Sequence, residues 1–433
     1  MSTMDHRNVK TSDRIGSRLW PRVHSQAARG RNGQRFPLAL GLGLVGLVAT
    51  GCQGAPPTAT LDPAPEPTAE GCAAPFDPGI DYFPEKVDLD YATGFTVDYH
   101  NHYKRVTITD PWPGASQRFE YLLVQCGAPV PDGYDQAQVV TVPVERVVAL
   151  STTHLPHFEQ LDRVDALVGV GQFDQISSPG VRAKIDQGEL TEFTSGASLD
   201  GERLLVAAPD LVMTFSMGND NDPYLRLMQA GVPVAFVAEY REASPLARAE
   251  WLKFTALLVN QEAQAQAQFA AIAQEYHALV DLAQTPAERP TVFTGSSYEG
   301  TWHVAQGESY AAQLLRDAGA DYLWADVPGT GSTPLDIEAV YGRAATADFW
   351  VNLSQDWQTQ ADAIAADPRY GQFQALQRNR AYNNNARVNP SGGNDFWESG
   401  PVNPHRVLAD LIAIFHPALL PDHELIYYQP LLP

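Results

Sequence analysis

The longest helical stretch of the chain lies at residues 245–284, and it divides everything else. It contains EAQAQAQFAAIAQEYHALVDLAQ, dense in Ala, Gln and Glu, which are good helix formers, and Pro286 and Pro290 close it. Phe269, Ile272, Tyr276 and Leu279 recur at helical spacing and give the helix one apolar stripe. On each side, short β-prone runs alternate with helical ones. Before the helix, the strands are Arg146–Leu150, Leu167–Val170, Asp210–Phe215 and Val232–Ala238, with helical stretches at 155–161, before 208 and at 224–230. After it, strands at 291–294, 349–353 and 381–384 alternate with helices at 310–319, 362–366 and 404–415. Strand, helix, strand at this spacing implies parallel βαβ units. The expectation is an α/β fold: two Rossmann-like lobes, 146–260 and 285–433, joined by one connecting helix at 261–284.

The chain has 433 residues, 44% of them hydrophobic and 18% charged, so it can bury a sizeable core. Three runs rich in Val, Thr, Tyr and Phe precede the first lobe: Phe95–Tyr99, Lys104–Thr109 and Arg118–Gln125. They read as a small antiparallel β element within 89–145, with Asp110-Pro111-Trp112-Pro113-Gly114 as a turn between the last two.

The first 51 residues form a leader. They carry eight basic residues and two acids, then an apolar run of about 15 residues, Phe36 to Thr50. That run is shorter than the roughly 20 residues of a membrane-spanning helix, and its layout is that of an export signal. Ala49-Thr50-Gly51-Cys52 resembles a bacterial lipobox, which implies lipidation of Cys52; an uncleaved N-terminal anchor helix is the alternative. Residues 53–70 are rich in Pro, Ala and Thr and read as a tether within 52–88. Cys72 and Cys126 are an even pair in an exported chain, hence a candidate disulfide. The net charge is −22, of which the leader contributes +6, leaving −28 for the rest. Nucleic acid is therefore a poor partner.

Several segments together are similar to the ABC-transporter solute-binding proteins for iron–siderophore complexes and vitamin B12, the class whose lobes share one long helix. These are RVVALSTTHLPHFEQL, LVGVGQFD, DGERLLVAAPDLVMTF, EWLKFTALLVNQEAQAQ and the block from AAQLLRDAGADYLWADV to DFWVN. The resemblance covers roughly 140–425. It implies capture of a small ligand, probed first as an iron–siderophore-type chelate, and delivery to an ABC permease and its ATPase. Cobalamin, haem or a bare metal ion are the alternative cargoes. A cell-surface binding protein outside transport, or an extracytoplasmic enzyme, is the alternative role.

The resemblance also implies that one glutamate on each lobe docks on permease arginines. Glu202 and Glu338 match those places. Each opens a helix, where the dipole favours an acid, and exposed carboxylates suit bidentate arginine. The ligand is expected between the lobes, in loops at the carboxyl ends of the strands. In the first lobe those loops hold Ser151, Thr152, Thr153 and His154, then Phe173, Phe215, Ser216, Met217, Tyr240 and Arg241. In the second they hold Tyr298, Trp302, Trp324, Asn385, Asn394 and Trp397. Arg241 could hold an anionic group, and Asp395 or Glu398 in GGNDFWESG could meet a cationic one.

His154 and His157 stand three apart and could share a helix face toward a metal, but no comparable set of histidines accompanies them, so no metal site is assigned and no cofactor is expected. Gly-x-Ser-x-Gly, His-Glu-x-x-His and a reactive cysteine are missing from the sequence of the folded part, so no catalytic residue is assigned.

Overall fold

A computed structural model of the chain describes residues 76–433 apart from 197, 220 and 221, together with Cys72. The leader and Cys52 lie outside the described residues.

A four-stranded sheet comes first: β1 (Phe95–Tyr99), β2 (Tyr103–Ile108), β3 (Phe119–Gln125) and β4 (Gln138–Val142), in that order. The expected antiparallel element is real for β1 to β3, but β4 runs parallel to β3. The loop at 126–137 carries the chain back to the same end, which a hairpin could not do.

The first lobe is built on β5 (Val147–Ala149), α1 (Leu155–Gln160), β6 (Leu167–Val170), α2 (Pro179–Asp186) and β7 (Thr191–Glu192). A small hairpin, β8 (Thr194–Ser195) and β9 (Ser198–Leu199), leads to α3 (Gly201–Ala207), β10 (Leu211–Thr214), α4 (Pro223–Gln229) and β11 (Val234–Phe236). Its sheet is parallel, in the order β11-β10-β5-β6-β7. The winding reverses between β5 and β10, so a crevice opens at their carboxyl ends.

The helical region splits into α5 (Pro245–Glu250), α6 (Leu252–Val259) and α7 (Glu262–Ala283). Asn260, at φ 52°, turns left-handed and ends α6, a conformation that asparagine tolerates better than most residues. The connecting helix is α7 alone, close to the 261–284 read from sequence. Phe269, Ile272 and Tyr276 form its buried stripe.

The second lobe contains β12 (Thr291–Thr294), β13 (Ser297–Tyr298), β14 (Thr301–Ala305), α8 (Tyr310–Asp317), β15 (Asp321–Tyr322) and β16 (Ser332–Leu335). Then come α9 (Ile337–Ala344), β17 (Phe349–Val351), α10 (Gln360–Ala366), α11 (Gln374–Gln377), β18 (Ala381–Asn383), α12 (Asp395–Glu398), α13 (Pro404–Phe415) and β19 (Gln429–Pro430). The main sheet runs β15-β12-β17-β18-β19, with only β19 antiparallel, and β13-β14-β16 form a second, antiparallel sheet.

The β element at 89–145 is no separate body. Phe95, Val106, Ile108, Tyr121 and Val140 belong to the same hydrophobic core as β5, β10 and β11. Gln138 uses its side-chain amide like a strand, donating to Val234 O at 3.0 Å and accepting from Val234 N–H at 2.9 Å. Tyr121 Oη accepts from Phe236 N–H.

Buried charges fasten the segment before β1 to the helices. The Glu250 carboxylate accepts from the amides of Asp90, Tyr91 and Ala92 at 2.9, 2.7 and 2.6 Å and pairs with Lys253 at 2.8 Å. Glu242 takes the amides of Thr93 and Gly94 and the indole N–H of Trp251. Lys104 Nζ, fully buried, donates to Leu257 O, Asn260 Oδ1 and Glu262 Oε1. Burial lowers its pKa to about 8 despite the Glu262 carboxylate. Cys72 and Cys126 are joined as a disulfide with Cα atoms 4.8 Å apart.

Candidate functional site

The reversal crevice of the first lobe is flanked by the loops after β5 and β10. After β5, Ser151 caps a single 3-10 turn, Thr152–His154, accepting from the Thr153 amide. Ser151, Thr152 and Thr153 are half-buried at the rim. After β10, Phe215 and Met217 are 41% and 54% exposed, large for apolar side chains. Ser216 between them points inward: its hydroxyl bonds Asp222 and accepts from Gly218 N–H. After β11, Tyr240 donates to Ser216 O at 2.6 Å, and its ring lies 6.2 Å from that of Phe215. Burial pushes the Tyr240 hydroxyl up to about 12, so it stays protonated. Arg241 is partly exposed and pairs with Asp110 of the β2–β3 loop at 2.9 Å. These loops bring together one aromatic and thioether face with a guanidinium at its edge.

From the second lobe, Trp397 on α12 is half-exposed. It lines a pocket with Phe396, Tyr310 and Arg248. The Arg248 guanidinium on α5 lies 4.4 Å over the Tyr310 ring of α8, a cation–π contact. Its other neighbour, Glu239, is 3.9 Å away and buried, and that burial raises the Glu239 pKa. The turn Thr152–His154 packs against α12. Tyr298, at the β13–β14 turn of the second lobe, is 72% exposed.

Other residues read as ligand contacts lie elsewhere. Trp302 is fully buried among Phe293, Trp350, Tyr370 and Phe373, and donates its indole N–H to Thr294 O at 2.9 Å. Trp324 is buried beside Tyr322 under the Arg343 guanidinium. Both indoles form the second lobe's core, where an aromatic side chain removes most area from water. Asn385 donates to Gln355 O and Trp357 O and accepts from Gln429. Asn394 caps α12 and donates to Asn384 O. Their amides hold loops together. Phe173 is half-buried against the first core, its N–H on Glu192 and its carbonyl on Arg182.

His154 is wholly buried, and burial, with His157 adding to it, lowers its pKa to about 3. His157, lowered to about 4 by burial, meets Thr255 Oγ1 at 2.8 Å. The two rings therefore stay neutral inside the first lobe and do not present a shared face outward. Among the described residues no group of three or more His, Cys, Asp or Glu side chains is placed to hold a metal ion.

The carboxylates of Asp395 and Glu398 are engaged within the protein. Asp395 is buried and pairs with Arg387 at 2.6 Å. Glu398 is buried, reaches across to the first lobe, and accepts from the amides of Ser177 and Ser178 at 2.6 and 2.7 Å. Nearby, Asn389 donates to Asp174 O and Ile176 O, and Gly393 passes so close that a Cβ would stand 2.5 Å from Gln175 O. The segment 389–398 thus clamps the first-lobe loop 174–178. Beside this clamp lies a pocket of about 440 Å³ lined by Asp174, Arg182, Arg387 and Asn389. The sequence marked GGNDFWESG as unusual but gave no sign of its partner, because the contact spans 220 residues.

Residues 147–387, more than half of the chain, match the model of the periplasmic binding protein family. The chain belongs to the periplasmic binding protein family. Among curated relatives of this periplasmic binding protein is a lipoprotein of Methanocaldococcus jannaschii, named as uncharacterized. It is 24% identical over 76% of this chain and 82% of its own length. A second such lipoprotein from that organism is 23% identical over 71% of this chain and 79% of its own length. Among solved structures, a possible iron-binding periplasmic solute-binding protein from Staphylococcus epidermidis aligns with a TM-score of 0.51 at 18% identity. It covers 63% of this chain and 99% of its own. A periplasmic binding protein from Veillonella parvula gives 0.52 at 16% identity, over 72% and 98%. At these identities the structures show the shared two-lobed fold. The family and the fold are those of periplasmic binding proteins.

Proposed function

We propose that this periplasmic binding protein is an exported lipoprotein, anchored through Cys52, that captures an iron–siderophore-type chelate and hands it to an ABC permease. The observation that carries the ligand class is the exposed cleft face. Phe215, Met217 and Tyr240 offer apolar and aromatic surface, and Arg241 offers one cation; on the second lobe Trp397 adds an exposed indole. Such a surface suits a bulky, partly apolar ligand with a negative edge. Cobalamin or haem would use the same surface. A bare metal ion would instead need converging carboxylates and imidazoles.

Two acids support docking. Glu202 stands exposed in the first turn of α3, beside Leu205 and the 85% exposed Val206. Glu338 stands in the first turn of α9 and pairs on the surface with Arg369 at 2.6 Å. A permease arginine would compete with Arg369, an exposed pair of little worth by itself. The relatives' designation as lipoproteins supports the anchor.

The deciding experiment is a thermal-shift screen of the mature protein with a ferric trihydroxamate, a ferric tricatecholate, hemin, cyanocobalamin and free Fe, Zn and Mn ions. A binder of the folded state raises Tm. A shift with a ferric chelate supports the reading. A shift only with free metal, or none at all, overturns the ligand class.

A further inference from the structure

We infer that the β2–β3 loop of the N-terminal sheet is part of the ligand cleft, with Trp112 and Asp110 as the residues that position its apolar face and its cation. This rests on the reading of that face as a ligand site. The loop belongs to the element that precedes the first lobe, outside the 147–387 family match.

Trp112 is the mould for the loop after β10. Its indole packs against Phe119 and Phe236 at ring distances of 5.5 Å, so it is fixed from beneath by β3 and β11. Above it lies Gly218, at φ +74°, where any Cβ would fall 2.3 Å from Trp112 Cδ1. Glycine is required twice over here, for the left-handed backbone and for the close approach. Gly218 N–H donates to Ser216 Oγ, and Ser216 O accepts from Tyr240. The position of the indole is thereby passed to Phe215 and Met217, the two exposed apolar side chains of that loop.

Asp110 acts on the cation. Its Oδ2 accepts from Arg241 Nη2 at 2.9 Å and Nε at 3.2 Å. Both groups are partly exposed, so a ligand anion can compete for the guanidinium on equal terms. Asp110 keeps the side chain extended along the rim until the anion arrives. A flat apolar body with an anionic edge meets both features at once.

The test separates positioning from ligand identity. Amide hydrogen exchange is measured on ligand-free wild type, Trp112→Phe, Trp112→Ala and Asp110→Asn. Exchange at 215–218 is expected to rise at least about tenfold in Trp112→Ala, with residues 291–430 unchanged and with most protection restored in Trp112→Phe. Unchanged protection at 215–218, or a rise spread evenly over both lobes, overturns the positioning role. In parallel, hemin is titrated as a flat anionic probe. Asp110→Asn is expected to bind it about two- to fivefold more tightly, the scale of one exposed ion pair, and Arg241→Gln more weakly. Equal affinity in all three proteins overturns the role of Asp110. If hemin does not bind the wild type, the ligand reading loses its anionic, flat form, while the exchange pattern still decides the role of Trp112.

Discussion

Glu398, on the second lobe, accepts the backbone N–H of Ser178, on the first, at 2.7 Å. Its other oxygen takes Ser177 N–H, and Glu159 stands on the same loop, accepting from Ser178 Oγ and Gly180 N–H. One carboxylate thus bridges the lobes.

That carboxylate gives the lobe contact a pH dependence. Burial outweighs the two amides and raises the Glu398 pKa to about 7 from an ordinary 4.5, with Asp395 and Glu159 adding to the rise. A folded pKa above the unfolded one means stability that is fully present below about 4.5 and lost as pH rises through 7. Glu398→Gln is therefore expected to lower Tm more at pH 5 than at pH 8. Calorimetry at both values checks it, and a gap that is constant or widens with pH counts against the assignment.

Removing the Glu250 carboxylate strands Lys253 and three backbone amides in a fully buried place. Glu250→Ala should cost about 3–5 kcal/mol, the range for breaking a buried pair. Urea unfolding of the two proteins measures it.

The disulfide closes 54 residues of sequence separation. In the chain-entropy view a loop of that size stabilises by about 4 kcal/mol. Cys126→Ser is expected to lower the free energy of unfolding by about 2–5 kcal/mol, and reduction of the wild type should give a similar loss in the same assay.

Trp397 and the docking acids give two functional expectations. Trp397→Ala should weaken binding of whichever chelate the thermal screen identifies by about tenfold, about 1.4 kcal/mol, while moving the ligand-free Tm little, since the ring is half-exposed. The pair Glu202→Arg and Glu338→Arg should abolish uptake in cells and leave solution affinity as it was; normal uptake would remove these residues from the docking surface.

Much of the architecture was legible because it is written in local periodicity. The strands at 167–170 and 291–294 and the connecting helix follow from runs of Val, Thr and Ala with clear breakers. The boundary at 260/261 was legible, but the tie of its left-handed turn to Lys104, more than 150 residues earlier, was not. The parallel β3–β4 pairing was hidden because parallel order depends on a connection with no signature of its own. Position on a loop after a strand singled out the exposed or half-exposed Phe215, Met217, Tyr240 and Trp397 but did not separate them from the buried Trp302, Trp324, Asn385 and Asn394. Exposure is a property of the packed whole, not of a residue's place after a strand. The clamp by Glu398 and the support by Trp112 lay beyond reach, since each joins segments far apart in sequence.

The side chains of Gln138 and Tyr121 occupy hydrogen-bonding groups of β11, the outermost strand of the first lobe's sheet. A chain trimmed to begin near residue 146 would leave that row open to any other polypeptide. Self-association edge to edge is the hazard such a row carries. The N-terminal sheet therefore decides whether the binding lobe can be kept in solution at high concentration, and shortened forms made for crystallisation should retain it.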